Sequence, residues 1–109
     1  LLARALVYEP NLLVLDEPFC NLDIKSNFIL NKNLNNLIDK SVNIIYVTHN
    51  LETILRSTNR VILIKNGKIL KDGKPKEIMT SKTLSDLFQI SIDLINENGY
   101  WRGIPDGFK

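Results

Sequence analysis

Two apolar runs and a helical repeat organise the first half of the sequence. Residues 12–15 are continuously apolar, and residues 43–47 are nearly so. Runs of this length predict strands that are buried on both faces of a parallel sheet. Between them, three leucines recur at helical spacing and predict a helix over residues 23–39. Residues 1–7 predict the end of a further helix, which a loop at 9–11 stops.

Turn residues divide the second half into shorter elements. Asn66-Gly67 lies between two apolar stretches and predicts a hairpin, because both residues tolerate positive φ. A further turn is expected at Asp72-Gly73. The other expected elements are strands at 60–64, 68–70 and 90–95, helices at 51–58, 76–80 and 83–88, and a turn at Asn98-Gly99.

The order of these elements predicts an α/β fold. Strands that alternate with helices and end in a hairpin indicate a parallel sheet with flanking helices and an antiparallel edge. In such sheets, ligands bind beyond the carboxyl ends of the strands. Asp16-Glu17 and Thr48-His49 each follow the end of a predicted strand, so we expect a site at that edge.

Composition limits the classes of protein to which the chain can belong. It has 109 residues, 44% hydrophobic and 24% charged, which is typical of a soluble globular domain. A net charge of +2 gives no support for direct nucleic-acid binding. No apolar run approaches the roughly 20 residues that span a bilayer, so direct membrane insertion is not expected. Cys20 is the single cysteine, which excludes an internal disulfide and fits a reducing compartment.

Two adjacent carboxylates follow the first apolar run. Asp16 could hold Mg²⁺, which prefers hard oxygen ligands, or it could cap a turn by accepting from backbone N–H groups. Glu17 could activate a water molecule as a general base, or it could be an exposed acid of a loop. The pair by itself leaves both interpretations open, because short motifs of this kind recur without function.

Three more polar side chains also have competing interpretations. His49 is the only histidine, and a lone histidine is more often structural or solvated than catalytic. Its position after the second predicted strand would nevertheless let it reach a phosphate or the water near Glu17. Asp23 directly precedes a predicted helix, where aspartate is a preferred N-cap. Cys20 lacks a nearby histidine or a CxxC partner, which argues against a nucleophilic or metal-binding role.

Several motifs occur in one order along the chain. They are LARAL at 2–6, LLVLDEP at 12–18, NLD at 21–23, Thr48-His49 and VILIKNGKIL at 61–70. The set resembles the C-terminal half of the nucleotide-binding domain of ABC-type ATPases. In that order, the motifs look like the helix after the signature sequence, the Walker B strand, the D-loop, the switch-histidine loop and the edge hairpin. The resemblance covers residues 1 to about 80, and Cys20 departs from it, because serine or glycine is usual before NLD.

The resemblance implies a P-loop NTPase-like fold with ATP and Mg²⁺ as cofactors. Asp16 would help to position Mg²⁺ on the β- and γ-phosphates, Glu17 would polarise the attacking water, and His49 would contact the γ-phosphate. Asp23, counted among the nucleotide-binding residues, would work across the interface of a head-to-tail dimer with a second nucleotide-binding domain and couple the two nucleotide sites. In-line phosphoryl transfer depends on positioning and on charge neutralisation, which suits this set.

The implied function is ATP hydrolysis that energises an ABC transporter. The resemblance places such a protein at the cytoplasmic face of the membrane, in contact with membrane-spanning subunits. It also implies a partial nucleotide-binding domain over residues 1–89 and a tail over 90–109 with a small strand pair. Two alternatives stay open: an ABC-type ATPase of DNA repair, chromosome organisation or translation, and a non-catalytic interaction module derived from the fold. The short spacing between Glu17 and His49 favours the transporter form.

The sequence contains no phosphate-binding loop of the form G-x-x-x-x-G-K-[ST]. The loop, the Q-loop and the signature sequence are expected upstream, so the chain is expected to be a fragment. We hypothesise that the chain alone cannot bind or hydrolyse ATP with normal affinity. We also expect its strands to leave apolar surface open to association.

Overall fold

The structure is a computed structural model that describes residues 11–106. The helix end predicted at 1–7 lies outside the described residues. The elements, in chain order, are β1 (Leu12–Asp16), α1 (Ile24–Asp39), β2 (Asn43–Val47), a 3₁₀ turn (Leu51–Thr53), β3 (Val61–Lys65), β4 (Lys68–Gly73), α2 (Pro75–Ile78), α3 (Ser81–Phe88), β5 (Ile92–Glu97) and β6 (Tyr100–Pro105). The chain divides into two compact units between Thr53 and Ile54. No helix within residues 11–106 is long and apolar enough to cross a bilayer.

The first unit contains a parallel strand pair and one α-helix. β1 and β2 run parallel and in register, with Leu13 opposite Ile44 and Asp16 opposite Val47. The helix α1 lies against β2. The buried apolar side chains of this unit are Leu13, Leu15, Phe19, Leu34 and Leu37. The predicted parallel arrangement and the predicted bounds of β2 are confirmed.

The expectation that both strands are buried on both faces is wrong. Leu13 and Leu15 are buried, but the alternate residue Val14 is 64% exposed and Ile45 of β2 is 55% exposed. Successive side chains of a strand point to opposite faces of the sheet. The single α-helix among the described residues of this unit can cover only one of those faces.

Helix α1 begins where the sequence predicted. Asp23 is the N-cap, with extended backbone, and its Oδ1 accepts a hydrogen bond of 2.7 Å from the Ser26 N–H. The fully buried Leu34 and the buried Leu37 face inward, so two of the three predicted leucines anchor the helix. The helix ends before Ser41, whose positive φ of 66° turns the chain towards β2.

The helix predicted over 51–58 is reduced to the 3₁₀ turn at Leu51–Thr53. The Asn50 carbonyl is occupied by the Thr53 N–H at 3.1 Å and by the Thr53 hydroxyl at 2.7 Å. A threonine hydroxyl that bonds to nearby backbone competes with the next turn of an α-helix. The prediction was therefore wrong beyond the first turn.

The second unit opens with the predicted hairpin. β3 and β4 are antiparallel, with a register shift between Leu63 and Ile64. Asn66 and Gly67 form the turn with φ values of 52° and 73°, the conformation that Asn-Gly favours between strands.

The turn expected at Asp72-Gly73 is not formed, since both residues belong to β4. Asp72 lies opposite Ile62 in the ladder. Its carboxylate accepts two hydrogen bonds from the Arg60 guanidinium, at 2.9 and 2.7 Å. The ladder and this ion pair keep the strand extended through position 73.

Two short helices and a second hairpin complete the second unit. α3 starts earlier than predicted, because the Thr80 hydroxyl caps it by accepting from the Thr83 N–H at 3.1 Å. Gln89, at a φ of 58°, ends the helix, so β5 starts two residues later than predicted. β5 and β6 are antiparallel partners around Asn98-Gly99, and Trp101 is buried. The domain boundary at residue 89 stays a prediction.

Candidate functional site

The carboxyl ends of β1 and β2 bring the main predicted site residues to one edge of the sheet. Asp16 is the last residue of β1 and lies opposite Val47, the last residue of β2. The pairing continues one step further, since the Glu17 N–H donates to the Val47 carbonyl at 2.8 Å. Glu17 and His49 therefore leave their strands side by side, as the parallel arrangement predicts.

Glu17 and His49 are in direct contact. The His49 backbone N–H donates to Glu17 Oε1 at 3.1 Å, and His49 Nδ1 makes a hydrogen bond to the same oxygen. An ionised carboxylate only accepts, so Nδ1 carries the hydrogen and Nε2 is left for another ligand. The His49 side chain is 81% exposed, and that of Glu17 is 29% exposed. The pair is thus open to a ligand on the histidine side.

The backbone of Glu17 lies in the left-handed region, at a φ of 46°. That conformation costs a residue with a Cβ about 1–2 kcal/mol. Its carbonyl accepts from the Cys20 N–H at 3.1 Å, which closes a turn directly after β1. Backbone strain of this kind persists where surrounding bonds fix it, and it often marks a functional position.

Asp16 is exposed at the end of β1. Its carboxylate makes no hydrogen bond or ion pair among the described residues, so no turn-capping bond is seen there. Within residues 11–106 no three potential metal-ligating side chains converge. One available carboxylate suits Mg²⁺, which protein sites often hold through one or two carboxylates together with waters and substrate phosphates. The residues present therefore fit a metal that arrives with a nucleotide.

Asp23 is the N-cap of α1, which was the structural interpretation of this residue. The hydrogen bond from the Ser26 backbone N–H lowers the pKa of this exposed carboxyl below its usual value. A bond from the Ser26 side chain lowers that pKa further, by a smaller amount. Both bonds favour the charged form. The role of Asp23 across a dimer interface stays a prediction.

Two polar residues after β2 were missed by the sequence analysis: Asn50, in the loop before the 3₁₀ turn, and Thr53, the last residue of that turn. Thr48 and Thr53 pair through their hydroxyls at 2.7 Å, and Asn50 Oδ1 accepts from the Glu52 N–H at 3.1 Å. Tyr46 in β2 donates from its hydroxyl to the Thr53 carbonyl at 3.2 Å. The spacing of Thr48, Asn50 and Thr53 could have indicated these bonds, since such side chains often bond to neighbouring backbone.

Two relatives in sequence show what this arrangement is similar to. An uncharacterized ABC transporter ATP-binding protein of Bacillus subtilis is 36% identical over 97 residues, which are 87% of this chain and 37% of the relative. The ATP-binding protein of an energy-coupling factor transporter from Mycoplasmopsis synoviae is 43% identical over 86 residues, 79% of this chain and 26% of the relative. The chain is a homologue of ABC transporter ATP-binding proteins. The resemblance seen in the motifs is thereby confirmed.

The chain spans 37% of the length of the first relative and 26% of the length of the second. No protein-family profile matches it. A solved structure of a proposed metal-chelate type ABC transporter, in an inward-facing conformation, superposes with a TM-score of 0.83. The match covers 100% of this chain and 46% of that one at 23% identity, so it supports the fold alone. The predicted P-loop NTPase-like α/β class is confirmed at this level.

Proposed function

We propose that this chain supplies the water-activating and γ-phosphate-contacting edge of an ABC-type ATPase. The observation that carries the proposal is the contact between Glu17 and His49 at the carboxyl ends of two parallel strands. Homology to ABC transporter ATP-binding proteins supports ATP as the ligand. Phosphoryl transfer needs groups that position a water molecule and neutralise charge, and these two side chains can do both.

Each residue of the edge has a separate task in this proposal. Glu17 accepts a proton from the attacking water, as a positioned carboxylate can do in general base catalysis. With Nδ1–H on Glu17, His49 would contact the γ-phosphate as the imidazolium, whose Nε2–H can donate to a phosphate oxygen. Asp16 would hold Mg²⁺, which supplies charge neutralisation at the phosphates when it is bound. Asp23 acts on the nucleotide across a head-to-tail dimer.

The proposed setting is an ABC transporter. We assign the chain to an ATPase that contacts membrane-spanning subunits at the cytoplasmic face of the membrane and pairs with a second nucleotide-binding domain. The relatives described above are named as transporter proteins, which favours this setting over DNA repair, chromosome organisation or translation.

The test is a Glu17→Gln substitution in the native polypeptide that carries this chain. The amide keeps the size of the side chain but cannot take a proton from water. We expect ATP turnover to fall by roughly 10²- to 10⁴-fold while ATP is still bound, so that ATP-loaded dimers accumulate in gel filtration. The matched control is Glu97→Gln, at an exposed glutamate of β5. Turnover that is unchanged in Glu17→Gln would favour a non-catalytic interaction module and overturn the proposal.

A further inference from the structure

The loop that carries His49 is closed by hydrogen bonds on both sides of that residue. Thr48 and Thr53 pair through their hydroxyls at 2.7 Å. The Asn50 N–H donates to the Thr48 hydroxyl at 3.1 Å, and the Thr53 hydroxyl lies 2.7 Å from the Asn50 carbonyl. His49 therefore lies inside a ring built from one residue before it and two residues after it.

The direction of each bond in the ring follows from counting hydrogens. Each threonine hydroxyl has one hydrogen and can accept through two lone pairs. The Asn50 carbonyl can only accept, so the Thr53 hydroxyl donates to it. Thr53 must then accept from Thr48 across the 2.7 Å contact. The 3.4 Å separation between the Thr48 hydroxyl and the Asn50 carbonyl is too long to compete.

The ring encloses the residue that contacts Glu17. The His49 N–H and Nδ1 converge on one oxygen, Glu17 Oε1. A rotation of the backbone at position 49 would move both donors away from that oxygen. The bonds between residues 48, 50 and 53 oppose such a rotation. The bond from the Tyr46 hydroxyl to the Thr53 carbonyl fixes the far end of the loop on β2.

We propose that the hydroxyl pair of Thr48 and Thr53 positions His49 for the candidate reaction. Thr53 is then a positioning residue that acts through His49 and does not touch the nucleotide. The inference rests on the proposed function for its kinetic consequence. Its structural part, that the pair controls the contact between His49 and Glu17, can be tested without ATP.

The structural test uses NMR of the imidazole in the 109-residue chain. His49 is the only histidine, so selective ¹⁵N labelling of histidine gives one set of ring signals. Glu17→Gln supplies the reference spectrum for a ring that has lost the carboxylate. Thr53→Val removes the hydroxyl but keeps the branched shape and the carbonyl that Tyr46 bonds. We expect Thr53→Val to move the Nδ1 and Nε2 signals towards those of Glu17→Gln.

Three further variants make the readout specific. Thr48→Val breaks the same pair from the other side and should give the same shift. Thr53→Ser keeps the hydroxyl and should restore the wild-type signals. Thr83→Val is the matched control, because it breaks a second threonine pair, in which the Thr80 hydroxyl donates to that of Thr83 at 2.9 Å. The control should leave the ring signals of His49 unchanged.

Two results would overturn the inference. In the first, Thr53→Val and Thr48→Val keep the fold and leave the histidine signals at their wild-type positions. In the second, both valine variants unfold, which would show that the pair holds the loop together and does not specifically orient His49. Amide spectra of each variant separate these two results.

The kinetic arm uses the native polypeptide that carries the chain. We expect Thr53→Val to lower kcat for ATP by roughly 10- to 100-fold, as a misplaced catalytic group does, with little change in KM. Thr53→Ser should recover most of the rate. If the wild type hydrolyses no ATP, the proposed function fails while the NMR result still decides the positioning role. A wild-type kcat in Thr53→Val would overturn the kinetic part.

Discussion

Glu17 combines a strained backbone with a side chain that accepts two hydrogen bonds from His49. The strain and the bonds can be separated by two substitutions that both remove the carboxylate. Alanine keeps the cost of a φ of 46°, whereas glycine adopts that conformation freely. We expect Glu17→Gly to be more stable than Glu17→Ala by about 1 kcal/mol in urea unfolding.

Glu97 in β5 provides the matched control for this pair of substitutions. Its backbone is extended within a strand, where glycine is less favourable than alanine by about 0.5–1 kcal/mol. The order of stability should therefore reverse at position 97. Equal stability of Glu17→Gly and Glu17→Ala would show that the backbone at position 17 is not strained.

Asp23 should make the stability of the chain depend on pH below neutrality. Bonds from Ser26 lower the pKa of its carboxyl from a usual value of 3.8. Since the folded pKa is the lower one, the stabilisation is present above the unfolded pKa and is lost as the pH falls through the folded pKa. Thermal melts of wild type and Asp23→Ala should differ at pH 6 and converge towards pH 2. Asparagine caps a helix but does not titrate, so the melting temperature of Asp23→Asn should stay close to that of the wild type at pH 6. A difference in melting temperature between wild type and Asp23→Ala that is constant with pH would contradict the prediction.

At the residue level, the sequence was sufficient to place Glu17 next to His49, but it was not sufficient to place Thr53 beside them. Parallel strands end at one edge, so residues that follow two such strands can be placed together without coordinates. The role proposed for Thr53 depends on where the helix stops, and the sequence predicted a longer helix there. Its hydroxyl is itself the reason why the helix is short.

The two Asn-Gly hairpins differ in what surrounds the glycine. A Cβ at Gly67 would meet nothing within 4 Å, while a Cβ at Gly99 would lie 3.0 Å from Arg56 Nε. The Arg56 guanidinium in turn lies 5.7 Å from the centroid of the Tyr100 ring. Alanine at either glycine adds about 1–2 kcal/mol of backbone strain, because both φ values are positive.

Gly99→Ala should therefore be more destabilising than Gly67→Ala. At position 99 the arginine must also move off the tyrosine ring, a contact worth about 0.5–1 kcal/mol at an exposed site. Urea unfolding of the two variants measures the difference directly. An equal loss of stability in both would mean that the Arg56 contact with Tyr100 contributes nothing.

Among the elements, the predicted bounds were accurate for β2 and α1 and less accurate for β4, β5 and α3. Residues 43–47 were placed correctly because a short apolar run has few alternatives. The start of α3 was missed because it depends on the Thr80 side-chain cap, whereas its end at Phe88 was predicted correctly. The burial of β1 was overestimated because sequence alone does not show how many helices cover a sheet.

For the whole molecule, exposed apolar side chains of the strand pair predict self-association of the 109-residue chain. Val14 and Ile45 are directly opposite each other and are 64% and 55% exposed. Adjacent exposed apolar side chains on a sheet favour contact with another apolar surface. We expect the double substitution of both residues by threonine to lower the average mass seen in sedimentation. The control is Ile24→Thr, at a 90% exposed position of α1, which should leave the average mass unchanged. A monomeric wild type with a sharp reversible melt would contradict the prediction.

The chain by itself should bind Mg-ATP only weakly. Much of the affinity of a P-loop site comes from a glycine-rich loop whose N–H groups and lysine surround the phosphates, and this sequence has no such loop. The edge it does have carries two carboxylates, Asp16 and Glu17, which repel a polyphosphate unless a cation intervenes. We expect calorimetry to give a dissociation constant of about 1 mM or weaker, against a positive control with the Bacillus subtilis relative. Low-micromolar binding to the isolated chain would mean that the edge formed by β1 and β2 holds nucleotide without a phosphate-binding loop.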